Sequence, residues 1–352
     1  MLRTVVALNF LVFLVFPTAA SAWGFEGHRV VGSIADELLR LKPNARQQTQ
    51  KILNDADFDS HDLDLRKAGP WADCVRSVAK YDDGKFHYVV DPDHLEFEVP
   101  CIPFNSARER ARIVDYAKRN WECKPDVQRA CHTMFHFEDI AIQRGSFDRN
   151  FQGTNNHDLV AAIGAAIAVL KDKPAPAPFS IKDKKEALLL LVHFVGDLHQ
   201  PLHVGSVYLG ADGKLVDPDA AHHIDPATET TGGNSIQDQN LNLHHEWDDI
   251  PQDIGDAWTR ELLEDARSVP ASQGPIDSWP AAWATDTLLI AQEAFKGLSF
   301  QLVDPPPKAT FNKWTVAFDD HMAYLRSMDA IKRKQLAKGG ARLAEILNAI
   351  WP

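Results

Sequence analysis

Residues 193–203 read His193-Phe-Val-Gly-Asp197-Leu-His199-Gln-Pro201-Leu-His203, and this stretch decides how the 352-residue chain must fold. It closes a segment, 182–199, whose apolar residues recur at three- and four-residue spacing, as one buried helix face requires. On that helix His193 and Asp197 project from the same face, as two ligands of one metal ion must. Pro201 should break the helix and let His203 turn toward a different centre.

A second segment repeats this spacing in Asn242-Leu-His244-His-Glu-Trp-Asp248. A single His-x-x-x-Asp pair on a helix is more often an ordinary surface pair than a pair of ligands. Two such pairs, one of them running into His199-Gln-Pro-Leu-His203, favour metal binding. Imidazole nitrogen and carboxylate oxygen without thiolate are typical of a catalytic zinc site rather than a thiolate-rich structural one.

Most of the chain is predicted to be helical, because apolar residues recur at helical spacing in seven segments: 29–41, 105–118, 156–171, 182–199, 258–266, 281–295 and 318–349. Strand patterns are few: 86–90 is one, and 206–216, with Gly-Ala-Asp-Gly in its middle, could be a hairpin. The Pro-rich breaks at 173–179 and 305–308 are too short for domain linkers. We therefore expect a single, mainly α-helical (all-α) domain over residues 23–352.

The first 22 residues have the pattern of a signal peptide. Arg3 is the only charge before an apolar run, 5–16, and Ala20-Ser-Ala22 fits the small-residue rule for cleavage. The run is too short for a membrane span, which takes about 20 residues. We expect cleavage between Ala22 and Trp23 and export of the mature chain, either to the periplasm or out of the cell.

The mature chain is acidic, with 36 basic against 49 acidic side chains once Arg3 is removed. That balance argues against a general nucleic-acid binder with a basic footprint. Bound divalent cations could still supply local positive charge that the count of side chains omits.

Four cysteines remain after cleavage, at Cys74, Cys101, Cys123 and Cys131. An even number in an exported chain favours two disulfides over free thiols. Cys123–Cys131 would close a short loop and leave Cys74–Cys101 as its complement. Three pairings are nevertheless possible, and the sequence does not choose among them.

Cleavage after Ala22 would also place Trp23 at the N-terminus, five residues before His28. A free α-amine has a pKa of about 7.7–8.0, low enough for a metal ion to displace its proton. The amine and the carbonyl oxygen of Trp23 together can form a five-membered chelate. Taken alone, Trp23 would be an ordinary core anchor and His28 a polar residue at the start of a helix.

These segments together resemble the zinc-dependent nuclease family typified by fungal single-strand-specific nucleases. The resemblance rests, in family order, on Trp23 with His28, Trp71-Ala-Asp73, Phe86-His87-Tyr88, the stretch from His193 to His203, Gly232-Gly-Asn234 and the segment from Asn242 to Asp248. The family's fold, which it shares with zinc-dependent phospholipase C, is mainly helical and holds a cluster of three zinc ions at the base of a cleft. Each piece is weak alone, and the combination is specific.

The resemblance implies the ligands of three Zn²⁺ ions per chain. One ion would be held by Asp73, His87, His193 and Asp197. Asp197 would bridge to a second ion, also held by His28 and by the amine and carbonyl of Trp23. The third ion would be held by His203, His244 and Asp248. His199 lies inside the same motif, but the family makes it a structural residue.

The resemblance also implies a reaction and its substrates. A water bridging the two inner zinc ions near Asp197 would attack phosphorus, Arg76 would steady the phosphate, and the third ion would stabilise the leaving 3′-oxygen. The substrates would be single-stranded DNA, RNA and 3′-nucleotides, and hydrolysis would leave 5′-phosphates. The enzyme is expected to work as a monomer with no stable protein partner and no membrane attachment.

Substrate contacts follow from the same resemblance. Tyr88 occupies an aromatic position on which a base stacks, and Asn234, after Gly233, would hydrogen-bond that base. The family often places a catalytic Asp three residues after the strand histidine. Here that position is Val90, so Asp91 is carried as the candidate.

Three alternatives stay open. Residues 204–231 form an insertion containing His222-His223, which could reshape the cleft rim or bind a further cation, although an ordinary exposed loop is the simpler interpretation. A zinc-dependent phospholipase C is a rival enzyme, but that family has Glu where this chain has Asp248 and spaces its N-terminal Trp and next His farther apart. A non-catalytic zinc-binding protein is opposed by the open coordination that so few ligands imply.

Overall fold

The computed structural model of the protein describes residues 23–55, 62–92, 95–123, 130–303 and 313–352. The predicted signal peptide, 1–22, therefore lies outside the described residues. The expectation of a mainly helical fold is confirmed. The α-helices, in chain order, are α1 Phe25–Leu39, α2 Pro43–Leu53, α3 Leu65–Ala68, α4 Trp71–Cys74, α5 Ala107–Arg119, α6 Leu159–Leu170, α7 Lys184–Leu198, α8 Pro218–Ala221, α9 Leu243–Asp248, α10 Arg260–Ser268, α11 Trp279–Ala294 and α12 His321–Ile350.

The strands are short and form small sheets. They are β1 Val78–Lys80, β2 Phe86–Tyr88, β3 Ile140–Ala141, β4 Gly205–Ser206, β5 Ile236–Asp238, β6 Leu241–Asn242, β7 Leu298–Leu302 and β8 Trp314–Phe318. β1 pairs antiparallel with β2, and β3 pairs parallel with β4, so that Ile140 faces Gly205. The remaining four strands form one sheet in the order β6-β5-β8-β7, in which β5 and β8 are parallel.

Helix α7 lies in the centre of the core. Every residue from Lys185 to Leu198 is buried, and helices α1, α6 and α12 pack around it. The side chain of Asp183 caps its N-terminus by accepting a hydrogen bond from the backbone N–H of Glu186. A helix that is buried on all sides must carry its polar side chains into the interior. The His and Asp residues of the 193–203 stretch therefore have no access to bulk solvent.

The seven predicted helices are all present, with ends that differ by a few residues. Helix α2 was missed because its sequence is polar, although Pro43 stands at its first turn, where proline is well tolerated. Residue Phe318 was assigned to the last helix, whereas it ends β8, and Asp320 caps α12 instead. The β7–β8 hairpin was also missed, and the Pro-rich 305–308 segment between these strands lies outside the described residues.

The expected hairpin in 206–216 forms in part. The Val216 backbone N–H donates to the Tyr208 carbonyl, and the Gly210 N–H donates to the Lys214 carbonyl, which closes a tight turn. Ser206, at the start of the predicted hairpin, pairs with Ala141 of β3. The segment is therefore joined to β3 at its base.

The two disulfides join Cys74 to Cys101 and Cys123 to Cys131. This is the pairing in which the short loop closes on itself. Cys74 is the last residue of α4 and follows Asp73, so the first disulfide ties a predicted ligand to the segment Val99–Phe104.

No helix among the described residues is both long enough and apolar enough to cross a lipid bilayer.

We predict that the buried ion pair between Lys185 and Glu109 holds α5 against α7. Their side chains approach to 3.0 Å, and each is about 1% exposed. Lys185→Met should lower the free energy of unfolding by about 3–5 kcal/mol, since it leaves a carboxylate buried without this partner. The matched control is Lys67→Met, because Lys67 pairs with an Asp62 side chain that is 94% exposed, and it should cost at most about 1 kcal/mol. Equal losses in denaturant unfolding would contradict the prediction.

Candidate metal centre

Three groups of His and Asp side chains meet in the core among the described residues. In each group one ligand atom per residue lies within 4.8 Å of the others, and every member is buried. Two groups share His193 and together form what we call the inner site: His28, Asp73, His136, His193 and Asp197. The other group is the outer site: His203, His244 and Asp248.

Helix α7 supplies the central pair of the inner site. The His193 Nε2 atom lies 3.3 Å from Asp197 Oδ2 and 3.7 Å from Asp73 Oδ1. The Nδ1 atom of His193 donates a hydrogen bond of 2.8 Å to the Gly69 carbonyl. Because a carbonyl can only accept, the proton of a neutral His193 sits on Nδ1, and the Nε2 lone pair faces the carboxylates.

Helix α1 brings His28 against this pair. Its Nε2 lies 3.2 Å from Asp197 Oδ1, and its ring stacks on His193 with centroids 3.8 Å apart. The contact requires Gly196, because a Cβ there would fall 2.6 Å from His28 Nδ1. The glycine inside the 193–203 stretch is therefore what lets α1 approach α7 closely enough to share Asp197.

The fifth member of the inner site corrects an assignment made from sequence. His136 Nδ1 lies 2.9 Å from Asp197 Oδ2 and 3.1 Å from His193 Nε2. His87, which the resemblance placed there, is exposed on β2 and packs its ring edge against Tyr81. Among the described residues His87 belongs to none of the three groups.

A sequence signal for His136 was present and was missed. Phe135-His136-Phe137 repeats the aromatic-His-aromatic pattern of Phe86-His87-Tyr88. It also satisfies the spacing that His87 does not, because Asp139 stands three residues after His136. In this second segment Phe137 stands in the place that Tyr88 has after His87.

Backbone pairing explains why His136 reaches the centre. The Glu138 N–H donates to the His203 carbonyl and the Ile140 N–H to the Val204 carbonyl, both at 2.9 Å. His203 Nδ1 in turn donates to the His136 carbonyl at 2.6 Å. The segment leading into β3 and the segment leading into β4 therefore run together, and this places a ligand of each site side by side.

The outer site is built on α9 and the turn after α7. His203 Nε2 and His244 Nε2 are 3.0 Å apart, and they lie 4.0 Å and 3.7 Å from Asp248 Oδ1. His244 Nδ1 donates to the Gly232 carbonyl at 2.6 Å, which again directs the Nε2 lone pair inward. Gln200 fixes the carboxylate by donating to Asp248 Oδ1 at 2.7 Å.

The Gly232-Gly233 segment shapes this site. Gly232 has a φ of 59°, and a Cβ there would lie 2.3 Å from the Leu202 carbonyl oxygen. Only glycine allows that approach without displacing backbone. Asn234 comes next in the chain, is half-buried, and donates a hydrogen bond from Nδ2 to the Thr231 carbonyl. The base contact that the sequence resemblance assigned to Asn234 stays a prediction.

The donor atoms of both sites fit divalent cations. Both carboxylate oxygens of Asp73 and the Oδ2 of Asp248 are buried without a hydrogen-bond partner. The Nε2 atoms of His203 and His244 are 3.0 Å apart, and two lone pairs that face each other at this distance repel. Both lone pairs can instead bind one cation. In a tetrahedral site with zinc–nitrogen bonds of about 2.0–2.1 Å, the ligand atoms lie about 3.3 Å apart. The distances between ligand atoms in the inner and outer sites are of this size.

Burial opposes protonation of His193, yet the Asp197 and Asp73 carboxylates raise its pKa. At the other imidazoles of the two sites burial prevails and favours the neutral form that binds metal. It lowers the pKa of His28 to about 4, helped by the neighbouring His193, and burial lowers the pKa of His136 to about 4 against the attraction of Asp197. Burial likewise lowers the pKa of His244 well below its usual range. A neutral imidazole retains the lone pair that a metal ion needs.

Trp23 and Arg76 lie at the same centre. Trp23 is fully buried, and the N–H of the next residue, Gly24, donates to the Asp248 carbonyl at 2.8 Å. Arg76 lies 3.2 Å from Asp73 Oδ1 and is 19% exposed. Burial alone would raise the pKa of Asp73, but the Arg76 guanidinium together with the imidazoles of His193, His28 and His136 outweighs burial and holds that pKa below its usual value.

The remaining predicted residues lie elsewhere or have other partners. The Tyr88 hydroxyl donates to Glu98 Oε2 at 3.1 Å, and the Arg110 guanidinium covers its ring. Asp91 joins none of the three groups in the described part of the chain. His199 uses both ring nitrogens within the protein, since Nδ1 donates to Val195 and Nε2 accepts from Arg342.

His222 and His223 are exposed. His222 ends α8 with a left-handed φ of 58°, and His223 bonds to the Ala221 carbonyl. Among the described residues no group of three ligands forms around them. This favours the ordinary exposed loop over a further cation site.

Comparison with known proteins gives a consistent result. The S1/P1 nuclease family model matches residues 23–352. Endonuclease 4 of Arabidopsis thaliana is 24% identical over 97% of this chain and 93% of its own length, and Endonuclease 1 is 22% identical over 99% and 93%. Nuclease P1 of Penicillium citrinum is 26% identical over 53% of this chain and 65% of its own length.

We predict that His136→Ala lowers the bound metal content of the purified protein, because the inner site loses one of its five side chains. His87→Ala is the matched control and should retain the full metal content, since that ring lies on an exposed strand. Elemental analysis after zinc loading and removal of free ion checks both variants, with circular dichroism to verify folding. Metal loss in the His87 variant alone would contradict the assignment.

Proposed function

The chain belongs to the S1/P1 nuclease family, and from that membership we propose an exported, zinc-dependent endonuclease that hydrolyses single-stranded DNA and RNA. Its products would carry 5′-phosphates, and 3′-nucleotides would also be substrates. The observation that supports this most is the pair of buried sites joined by the His136–His203 contact. Buried carboxylate oxygens without a hydrogen-bond partner, such as both oxygens of Asp73 and Oδ2 of Asp248, are costly unless they bind metal.

Three zinc ions are the proposed complement. Two would share Asp197 in the inner site, with His193, Asp73 and His136 on one side and His28 and Trp23 on the other. The third would lie in the outer site. Zinc, when bound, supplies Lewis acidity and a source of hydroxide near neutral pH.

The chain's own residues would position the substrate. Arg76 is the cationic side chain beside Asp73, and its guanidinium suits bidentate contact with a phosphate. Asp139 takes the role that Asp91 held in the sequence analysis, as the carboxylate that orients the attacking water through a hydrogen bond. Both groups act by placing reactants, which accounts for much of the rate gain in phosphoryl transfer.

A preference for single strands would follow from base contacts. Phe137, which follows His136, is half-buried, and so is Asn234, which follows the two glycines that pack against the outer site. Stacking of a base on an aromatic ring contributes about 1–3 kcal/mol and tolerates any sequence. A duplex hides its base faces, so only a splayed strand can make this contact.

Export is proposed on two grounds. The pattern of residues 1–22 is that of a signal peptide, and the two disulfides suit an oxidising compartment.

The first test of this function compares substrates and metals in the mature protein that begins at Trp23. We expect about three zinc ions per chain, because the inner and outer sites together hold the proposed ligands of three ions. We also expect rapid release of nucleotides from single-stranded DNA and RNA, slow attack on duplex, and loss of activity with a chelator that zinc restores. Three bound zinc ions without nucleotide release would favour the non-catalytic alternative, and faster turnover of phosphatidylcholine would favour a phospholipase.

A second test addresses the terminal amine. A Met placed before Trp23 converts the amine to an amide, which is a poor zinc donor at neutral pH. We expect about two tightly bound zinc ions instead of three, and a loss of several orders of magnitude in rate, because the shift in bound-water pKa depends on the metal. Zinc content and single-strand hydrolysis of the authentic and extended proteins are measured together. Equal activity would leave Trp23 as a core residue only.

A further inference from the structure

The insertion 204–231 was interpreted from sequence as an exposed loop, but one of its contacts lies in the protein interior. Tyr208, near its start, is 1% exposed, and its hydroxyl donates a 2.7 Å hydrogen bond to the Asp139 carbonyl oxygen. Burial, together with the nearby Asp139 carboxylate, raises the pKa of Tyr208 above its usual value. The hydroxyl therefore remains a donor at any working pH.

Asp139 has an unusual backbone. Its φ is 56°, in the left-handed region that residues other than glycine seldom adopt. Strained conformations of this kind persist only where the surroundings impose them, and they cluster at functional sites. The residues on either side, Glu138 and Ile140, are held by their backbone bonds to His203 and Val204. The left-handed turn between them therefore falls on Asp139.

A second contact holds the same residue from another side. Gly153 packs so closely on Asp139 that a Cβ would lie 2.4 Å from its carbonyl oxygen and 2.7 Å from its carbonyl carbon. Gly153 itself has a φ of 95°, which suits glycine alone. The Asp139 peptide therefore lies between a hydroxyl donor and a glycine backbone.

The insertion is anchored firmly enough to act as a support. The Arg144 guanidinium pairs with Asp217 and, at 2.7 Å, with Asp219. The Gln152 backbone N–H donates to Asp219 Oδ1 at 2.7 Å. These bonds tie the insertion to residues 144–152, the chain segment that leads from Asp139 to Gly153.

We infer that residues 204–231 serve as a brace that fixes the backbone of Asp139, three residues after His136, with Tyr208 as the positioning residue. The inference rests on the role proposed above for Asp139. A carboxylate that orients the attacking water must be held within a fraction of an ångström, because misplacement of about 1 Å can cost a hundredfold in rate. The hydroxyl acts on the backbone of that residue and touches neither substrate nor metal.

The test uses Tyr208→Phe in the mature, zinc-loaded protein. We expect kcat on a single-stranded oligonucleotide to fall by about threefold to tenfold, the range that loss of one hydrogen bond corresponds to, with KM and zinc content unchanged. Tyr324→Phe is the control for loss of a buried tyrosine hydroxyl, since that hydroxyl donates to the Ala294 carbonyl at 3.1 Å and accepts from Trp247 Nε1 at 2.8 Å. It should change thermal stability without changing kcat.

A double-mutant cycle with Asp139→Asn separates positioning from general loosening of the fold. If Tyr208 acts through Asp139, Tyr208→Phe will have no further effect on kcat in the Asp139→Asn protein. An equal fold-change in both backgrounds, or an unchanged kcat in Tyr208→Phe while Asp139→Asn is slow, would overturn the brace and leave the proposed function intact. An unchanged rate in Asp139→Asn alone would instead overturn the role assigned to Asp139.

Discussion

The burial of Asp197 is the constraint on which the rest of the structure depends. Its carboxylate is fully buried, yet one oxygen lies beside His28 and the other beside His136 and His193. These imidazoles hold its pKa well below the usual range, although burial alone would raise it. A carboxylate kept ionised in a protein interior costs several kcal/mol unless charge or metal compensates it. The three segments that meet at this carboxylate are therefore joined by a shared electrostatic requirement as well as by apolar packing.

The scaffold meets this requirement through close backbone approach. Gly196 admits the His28 ring to α7, and Gly69 packs against the carbonyl of the same histidine. Gly232 admits the Leu202 carbonyl and offers its own carbonyl to His244. Carbonyls at Gly69, Gly232 and His136 each accept a hydrogen bond from a histidine of the two candidate sites. The backbone thereby selects the tautomer in which the second ring nitrogen faces the metal position.

The same arrangement explains how an acidic chain can be a nuclease. The full sequence carries a formal charge of −12, so attraction for phosphate must be local. Arg76, held beside Asp73, is one such source, and metal ions bound at the two sites would be the larger one. In the insertion, Asp217 and Asp219 pair with Arg144, so these two carboxylates anchor the segment to the fold.

The sequence by itself determined the features that depend on local geometry. A spacing of four residues puts His193 with Asp197, and His244 with Asp248, on one face of a helix wherever that helix lies, and Pro201 ends α7 in any context. Only the tertiary structure decided between His87 and His136, because both lie in aromatic-His-aromatic segments. What separates them is a pairing across more than sixty residues, in which β3 aligns with β4 and carries His136 to His203. The Tyr208 contact with Asp139 is of the same kind, since no local pattern in the chain encodes which distant carbonyl a hydroxyl will meet.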